Sequence, residues 1–199
     1  MIDIERYIST GRTYLGLKNH HGLVDYYNAY CVDKVNPNRK YRMKYSDNWC
    51  AMFLSVLAEM VGLDSNQFPY EVSVQYMWEW GIRNSATTYS VDDIRRGDLV
   101  TYSWTGNRLE HVGIVVDVDS KLHVLEGNYS KTVGIRSVEL NYPKIHGFIM
   151  LDTGGQEVDA IERLAVEVIA GKHGDGEARR ESLGNLYDEV QKRVNQLLK

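Results

Sequence analysis

Apolar positions in the first part of the chain recur at helical spacing. Residues 2–16 and 22–31 carry this pattern, and residues 47–61 carry a more apolar version that Gly62 closes. Residues 75–80 add one or two further helical turns. The period then changes to two, which predicts strands at residues 98–103, 111–117, 122–127, 133–140 and 146–151. Helices followed by antiparallel strands indicate an α+β domain.

The character of the chain changes near residue 152. Of the 14 Tyr, 4 Trp and 3 Phe, all but Tyr187 precede that point. Beyond it, apolar residues at helical spacing predict three short helices, with Gly171 ending the first and a turn at residues 173–176. We therefore predict three parts: a large domain at residues 1–151, a glycine-containing linker at residues 152–157, and a three-helix bundle at residues 158–199.

Composition and charge exclude several classes of protein. The 199 residues contain 23 Lys and Arg against 27 Asp and Glu, so a strongly basic nucleic-acid binder is not expected. No run of about 18 apolar residues occurs, which argues against membrane insertion. The N-terminus has early acids and no apolar core segment, so we expect no secretory signal. Two cysteines cannot form a disulfide framework, and a single Cys31–Cys50 bridge is not favoured without such a signal.

Cys50 is the candidate nucleophile. It lies in the first turn of the predicted helix, which for this argument begins at Asn48, and it follows Ser46 and Asp47, either of which could cap that helix. The positive end of the helix dipole favours the thiolate, and the unpaired backbone N–H groups could hold an oxyanion. Most free cysteines are simply small buried hydrophobic residues, and Cys31, which has no histidine nearby in the sequence, fits that description better.

His111 is the candidate base, because it opens a predicted strand whose sheet would fix its ring. A two-residue turn at residues 119–120 would pair Asn128 with His111, and one at residues 118–119 would pair Glu126 with it. Either register puts both residues on the His111 face, whereas a three-residue loop would pair Gly127 with His111 and break the argument. A carboxylate or carboxamide there would orient the imidazole.

Four segments together resemble the CHAP family, the cysteine- and histidine-dependent amidohydrolases and peptidases. They read NWCAMF at residues 48–53, RGDLV at 96–100, HVGIV at 111–115 and EGN at 126–128. The resemblance implies a papain-like fold in which Cys50 is the nucleophile, His111 the general base, Glu126 the acid that orients it, and Asn128 an assisting residue. Some members carry an Asp-rich calcium loop before the cysteine. Asp47 is the lone acid here, so we expect no metal and no other cofactor.

The tail resembles the short three-helix cell-wall-binding repeat of some phage lysins. The segments that carry the resemblance lie at residues 169–179 and 187–195. One copy provides no avidity, so tight binding would require self-association through the repeat. Candidate wall contacts in the tail are Lys172, Arg179 and Asn195. Candidate substrate contacts in the large domain are Trp49, Trp78 and Trp104, in a groove with Tyr70, Tyr76, Trp80 and Tyr102.

These resemblances imply a phage endolysin that cleaves an amide bond of bacterial peptidoglycan. Whether it acts as an endopeptidase or as an N-acetylmuramoyl-L-alanine amidase is left open by the sequence. A lysin without a signal would be made in the host cytoplasm and would act on the wall after release. Two alternatives stand beside this interpretation: a non-catalytic wall-binding protein, and a cysteine acyl-transfer enzyme that acts on another amide.

Overall fold

A computed structural model describes residues 2–151, 164–165, 167–169, 171 and 173–198, except for the side chain of Asn185. The chain divides into two compact units, one formed by residues 2–151 and the other lying within residues 152–199. The predicted linker at residues 152–157 lies outside the described residues.

The larger unit begins with four helices, α1 (Ile4–Arg12), α2 (His21–Tyr30), α3 (Cys50–Val61) and α4 (Val74–Arg83). Short 3₁₀ turns occupy Val32–Lys34, Pro37–Arg39 and Val91–Asp93. Helix α3 is the central one, because every residue from Cys50 to Ala58 is buried. It ends where Gly62 takes a left-handed conformation, as the sequence predicts.

Six strands follow and form one antiparallel sheet: β1 (Thr87–Thr88), β2 (Leu99–Tyr102), β3 (His111–Val118), β4 (Lys121–Tyr129), β5 (Thr132–Glu139) and β6 (Ile145–Ile149). Their order across the sheet is β1-β6-β2-β3-β4-β5. The α+β class is confirmed, and the short edge strand β1 is an addition to the predicted set. Helices α1 and α3 pack on the sheet, which buries one large apolar cluster between the two layers.

The register of the β3–β4 hairpin differs from both two-residue turns considered for it. Next to the turn, Val118 pairs with Leu122 and Asp117 with His123, which is the arrangement of a three-residue loop. A β-bulge between Val115 and Asp117 then shifts the pairing by one residue, so that Ile114 faces Leu125. The bulge thus returns His111 and Glu126 to the same face of the sheet.

A glycine lets the sheet approach α3 closely at the end of β4. A Cβ atom placed on Gly127 would lie 2.5 Å from Cβ of Phe53, a residue of α3. Only glycine fits this contact without displacing the helix. The contact therefore fixes α3, which begins with Cys50, against the strand that carries Glu126.

The smaller unit has its own apolar core. Residues 164, 165 and 167–169 are helical, and Gly171 follows with a positive φ. Helix α5 (Glu177–Leu183), a 3₁₀ turn (Gly184–Leu186) and helix α6 (Tyr187–Leu197) complete the unit. The side chains that form this core are Ala165, Val168, Leu183, Val190 and Val194. No helix among the described residues is both long enough and apolar enough to cross a bilayer.

Candidate active site

Cys50 opens helix α3 at the floor of a cavity. The residue before it, Trp49, takes the N-cap position and makes no side-chain cap. The predicted capping by Ser46 or Asp47 is therefore wrong; the Asp47 carboxylate instead accepts hydrogen bonds from the Lys44 N–H and the Tyr41 hydroxyl. The first N–H groups of a helix have no partner within the helix, so they remain available around the thiol.

His111 lies against Cys50 on one side and Glu126 on the other. The Cys50 thiol is within hydrogen-bonding reach of the imidazole. His111 Nε2 lies 3.0 Å from Oε2 of Glu126, an ion-pair contact that is not aligned as a hydrogen bond. Because Nε2 is engaged by the carboxylate, Nδ1 is the ring nitrogen left for the thiol. The order thiol, imidazole, carboxylate is the arrangement of a nucleophile with an oriented base.

Burial and charge act in opposite directions on the imidazole. Burial by itself would lower the pKa of His111, but the contacts with the Cys50 thiol and the Glu126 carboxylate outweigh it and raise this pKa to about 9. The imidazolium form therefore dominates at neutral pH. An imidazolium next to the thiol stabilises a thiolate, and it holds the proton that a leaving amine needs.

Glu126 is fully buried and depends on a second cation, Arg136 of strand β5. Arg136 Nε and Nη2 lie 3.1 and 3.0 Å from the same Oε2 atom that contacts His111. The guanidinium also lies over three aromatic rings, with its Cζ 5.1 Å from the ring centre of Tyr102, 5.2 Å from Trp104 and 4.9 Å from Tyr129. A buried carboxylate requires such pairing to remain charged.

Sequence reasoning missed Arg136 because strand periodicity shows only which face a residue occupies. A basic residue in a strand is most often solvated, and nothing near Arg136 in the sequence indicates a buried partner. The signal lies in the pairing of β4 with β5, where Glu126 faces Gly134, two positions from Arg136. The register between β4 and β5 is known only once the strand pairing in the sheet has been determined.

Asn128 lies at the wall of the cavity rather than against the imidazole. It adopts a left-handed conformation with φ +58°, and its side-chain amide donates to Oδ1 of Asn48 at 3.2 Å. Glu126 is thus the residue that contacts the His111 ring, and Asn128 faces the space above Cys50.

A cavity of about 610 Å³ opens above Cys50 and His111. One wall comes from the start of α4, where Ser73 caps the helix, and the other comes from the loop at residues 103–110. Glu110 holds this loop in place by accepting hydrogen bonds from the N–H groups of Trp104 and Thr105 at 2.8 and 3.0 Å. The volume suits a small ligand or one segment of a polymer.

The aromatic candidates separate into those that line a cavity and those that pack inside the protein. Trp104 lines the Cys50 cavity, and Trp78 lines an adjoining one. Trp49 is only 2% exposed and stacks on His20 at 4.7 Å, so its indole is not available to a substrate, contrary to the prediction. Tyr70 and Tyr102 are likewise fully buried.

The second cysteine has a different environment. Cys31 is buried beside the backbone carbonyl of Ser55, and burial together with the charge of Glu59 raises the pKa of its thiol to about 12. This environment disfavours the thiolate. Within the described part of the chain, no group of three or more His, Cys, Asp or Glu side chains is arranged to hold a metal ion.

The candidate wall contacts of the tail make internal hydrogen bonds. Arg179 donates to Asp175 Oδ1 at 2.7 Å and to the Gly174 carbonyl at 3.0 Å, so it stabilises the turn before α5. Asn195 is exposed on α6, where it lines a shallow groove and accepts a hydrogen bond from Gln191. Lys172 lies outside the described residues.

Comparison with known families identifies the family to which the chain belongs. A CHAP domain profile matches residues 26–128, and a CW_7 repeat profile matches residues 162–198. The CHAP match covers more than half of the chain, so the protein belongs to the CHAP family, and its tail is a CW_7 repeat. CHAP domains are those of the cysteine- and histidine-dependent amidohydrolases and peptidases, which agrees with the chemistry of the site.

Solved structures give weaker similarities. The crystal structure of Ly7917 has a TM-score of 0.44 at 17% identity, over 75% of this chain and 63% of that one. A Staphylococcus aureus subsp. aureus Mu50 protein, described as similar to a lipoprotein of the NLP/P60 family, has a TM-score of 0.43 at 15% identity, over 76% of this chain and 42% of that one. The chain thus spans less than two thirds of each of these proteins. No curated protein matches it.

Removing Arg136 should destabilise the protein because it leaves Glu126 as a buried charge with too little compensation. We expect Arg136→Met, which keeps the apolar packing, to lower the free energy of unfolding by about 3–5 kcal/mol in urea denaturation. The double variant Arg136→Met with Glu126→Gln should recover most of this loss. If the single variant were as stable as the wild type, Glu126 would not depend on Arg136.

The raised pKa of His111 should appear in the pH dependence of stability. An unfolded histidine titrates near 6.5, so the stabilisation is fully present below about pH 6.5 and is lost as the pH rises through about 9. We expect the free energy of unfolding to fall over this interval by roughly 1–3 kcal/mol more in the wild type than in His111→Gln. His21→Gln is the matched control and should retain the wild-type slope. If the free energy of unfolding of His111→Gln fell with pH as steeply as that of the wild type, the raised pKa would not belong to His111.

Proposed function

We propose that the protein hydrolyses an amide bond of bacterial peptidoglycan, with Cys50 as the nucleophile. The observation that carries this proposal is the Cys50 thiol at the start of a buried helix, within hydrogen-bonding reach of an imidazole that Glu126 holds. The CW_7 repeat supports the choice of substrate, because the same residues resemble the cell-wall-binding repeats of some phage lysins.

The geometry supports the following sequence of steps. The Cys50 thiolate attacks the carbonyl carbon of the scissile amide, and the N–H groups at the start of α3 stabilise the negative oxygen that forms. The His111 imidazolium gives its proton to the nitrogen as the C–N bond breaks, which releases the amine and leaves a thioester on Cys50. Water then attacks the thioester while His111 takes a proton from it, and the products are a carboxylate and the free thiol–imidazole pair.

Glu126 and Asn128 have positioning roles in this scheme. Glu126 holds Nε2 of His111, so that the opposite ring nitrogen faces the thiol in both steps. Asn128 borders the cavity and is tied to Asn48, two residues before the nucleophile, which suits a residue that shapes the space for the reacting carbonyl.

We further propose that the protein is a phage endolysin. Support comes from the pairing of a CHAP domain with a CW_7 repeat in one chain. In this role the protein would be made in the host cytoplasm and would reach the wall after release. One repeat per chain would bind weakly unless chains associate.

The first test is mass spectrometry of the soluble products released from purified peptidoglycan. We expect products from the wild type and none from Cys50→Ala, because the substitution removes the attacking sulfur. Cys31→Ala is the matched control, since it also removes one thiol, and it should release the same products as the wild type. Stem peptides freed from glycan would identify an amidase. Shortened or uncrosslinked peptides that are still attached to glycan would identify an endopeptidase.

Two outcomes would reject this mechanism. Equal release by the wild type and Cys50→Ala would exclude Cys50 as the nucleophile. No release by either protein, together with binding to intact walls, would favour a non-catalytic wall-binding protein.

The second test concerns the tail. With Cys50→Ala in the background to prevent cleavage, we expect deletion of residues 152–199 to reduce co-sedimentation with purified cell walls. The unfolding transition of the truncated protein controls for loss of the larger unit. Undiminished binding by a folded truncated protein would contradict a wall-binding role for the repeat.

A further inference from the structure

A second cavity adjoins the one above Cys50. Its volume is about 300 Å³, and it shares the wall formed by Gln75, Arg108 and Leu109 with the Cys50 cavity. A third cavity of about 550 Å³ continues on the far side of Tyr89 and His146. The three spaces thus follow one another along the surface of the larger unit, an arrangement suited to a polymer that extends beyond the reacting bond.

Three rings that contact one another form one side of the second cavity. Trp78 and His146 lie 4.8 Å apart edge to face, and Tyr89 lies 5.6 Å from each of them. A Cβ atom on Gly147 would lie 2.7 Å from Cη2 of Trp78, so glycine at this position lets the indole lie against β6. Trp78 is nearly buried whereas Tyr89 is 70% exposed. The buried ring of Trp78 therefore supports the ring of Tyr89, whose exposed face is accessible to a ligand.

The remainder of the lining is almost free of charge. Side chains able to hydrogen-bond without carrying charge are provided by Gln75, Ser103 and Asn107. Burial lowers the pKa of His146, so this imidazole is neutral at neutral pH. Among the described residues that line the cavity, Arg108 alone carries a charge, and it lies on the wall shared with the Cys50 cavity.

We propose that this cavity, lined by Trp78, Tyr89 and His146 with Gln75 and Asn107, binds an N-acetylated amino sugar of the glycan strand. The assignment rests on the proposed function and names the part of the substrate that occupies the cavity adjoining the Cys50 site. A pyranose ring has a C–H face that packs on an aromatic ring, and its acetamido and hydroxyl groups match carboxamides. Stem peptides carry several carboxylates, whereas Arg108 is the one cation among the described residues that line this cavity, and it already pairs with Glu110 on the wall shared with the Cys50 cavity.

Tryptophan fluorescence of the full-length protein reports on the larger unit. All four tryptophans, Trp49, Trp78, Trp80 and Trp104, lie in that unit, and the sequence of the CW_7 repeat contains none. The probe is the β-1,4-linked tetramer of N-acetylglucosamine, which lacks a stem peptide. We expect a saturable change in fluorescence with the wild type.

The variants test whether the Tyr89 ring contributes to the affinity for the tetrasaccharide. We expect Tyr89→Ala to weaken the tetrasaccharide affinity about tenfold, as loss of one aromatic contact would, and Tyr89→Trp to retain it. Tyr30→Ala is the matched control, because Tyr30 is also an exposed tyrosine (59%) and does not line this cavity, and it should bind as the wild type does.

Three results would overturn the proposal. They are the absence of a saturable change in the wild type, an unchanged affinity in Tyr89→Ala, and a Tyr89-dependent response to the tripeptide L-Ala-D-Glu-L-Lys but not to the tetrasaccharide. Release of products from peptidoglycan by the wild type but not by Cys50→Ala would leave the proposed function standing in each case. Failure of that release would reject the function independently of the sugar result.

Discussion

A fully buried carboxylate is the constraint on which the candidate site depends. Glu126 has no contact with solvent, and three nitrogen atoms from two side chains surround one of its oxygens. The free energy of burying such a charge is unfavourable unless cations lie close to it. Arg136 meets this requirement permanently, and His111 meets it as long as its ring is protonated. The carboxylate thereby determines the orientation of the imidazole and, together with the Cys50 thiol, raises the pKa at which the imidazole loses its proton.

The backbone brings this carboxylate to the thiol through two local features. The bulge near Val116 restores the register that puts Glu126 on the His111 face, and Gly127 allows β4 to approach Phe53 of α3. Both features lie one or two residues from the end of a regular element. The helices and the sheet supply rigidity, and the two irregular positions bring the side chains of Cys50, His111 and Glu126 together.

The sequence predicted the elements well because their apolar periods are strong and their ends carry recognisable residues such as Gly62. It also placed Cys50 at the start of a helix and His111 at the start of a strand, and the structure brings both to one cavity. The capping of α3 was predicted incorrectly, since Asp47 can satisfy either the helix or its own turn and only tertiary packing decides between them. Arg136 could not be found, because its role depends on the register between β4 and β5.

The contrast between the two cysteines has a practical consequence. Cys31 is enclosed by apolar packing, and its thiol resists ionisation, whereas Cys50 borders a cavity open to small molecules. In the proposed mechanism, a soft electrophile added at neutral pH would therefore react with Cys50, the nucleophile, and leave the buried thiol of Cys31 unmodified. Covalent labelling in the folded state would report the number of competent active sites directly, with one label for each intact Cys50–His111 pair.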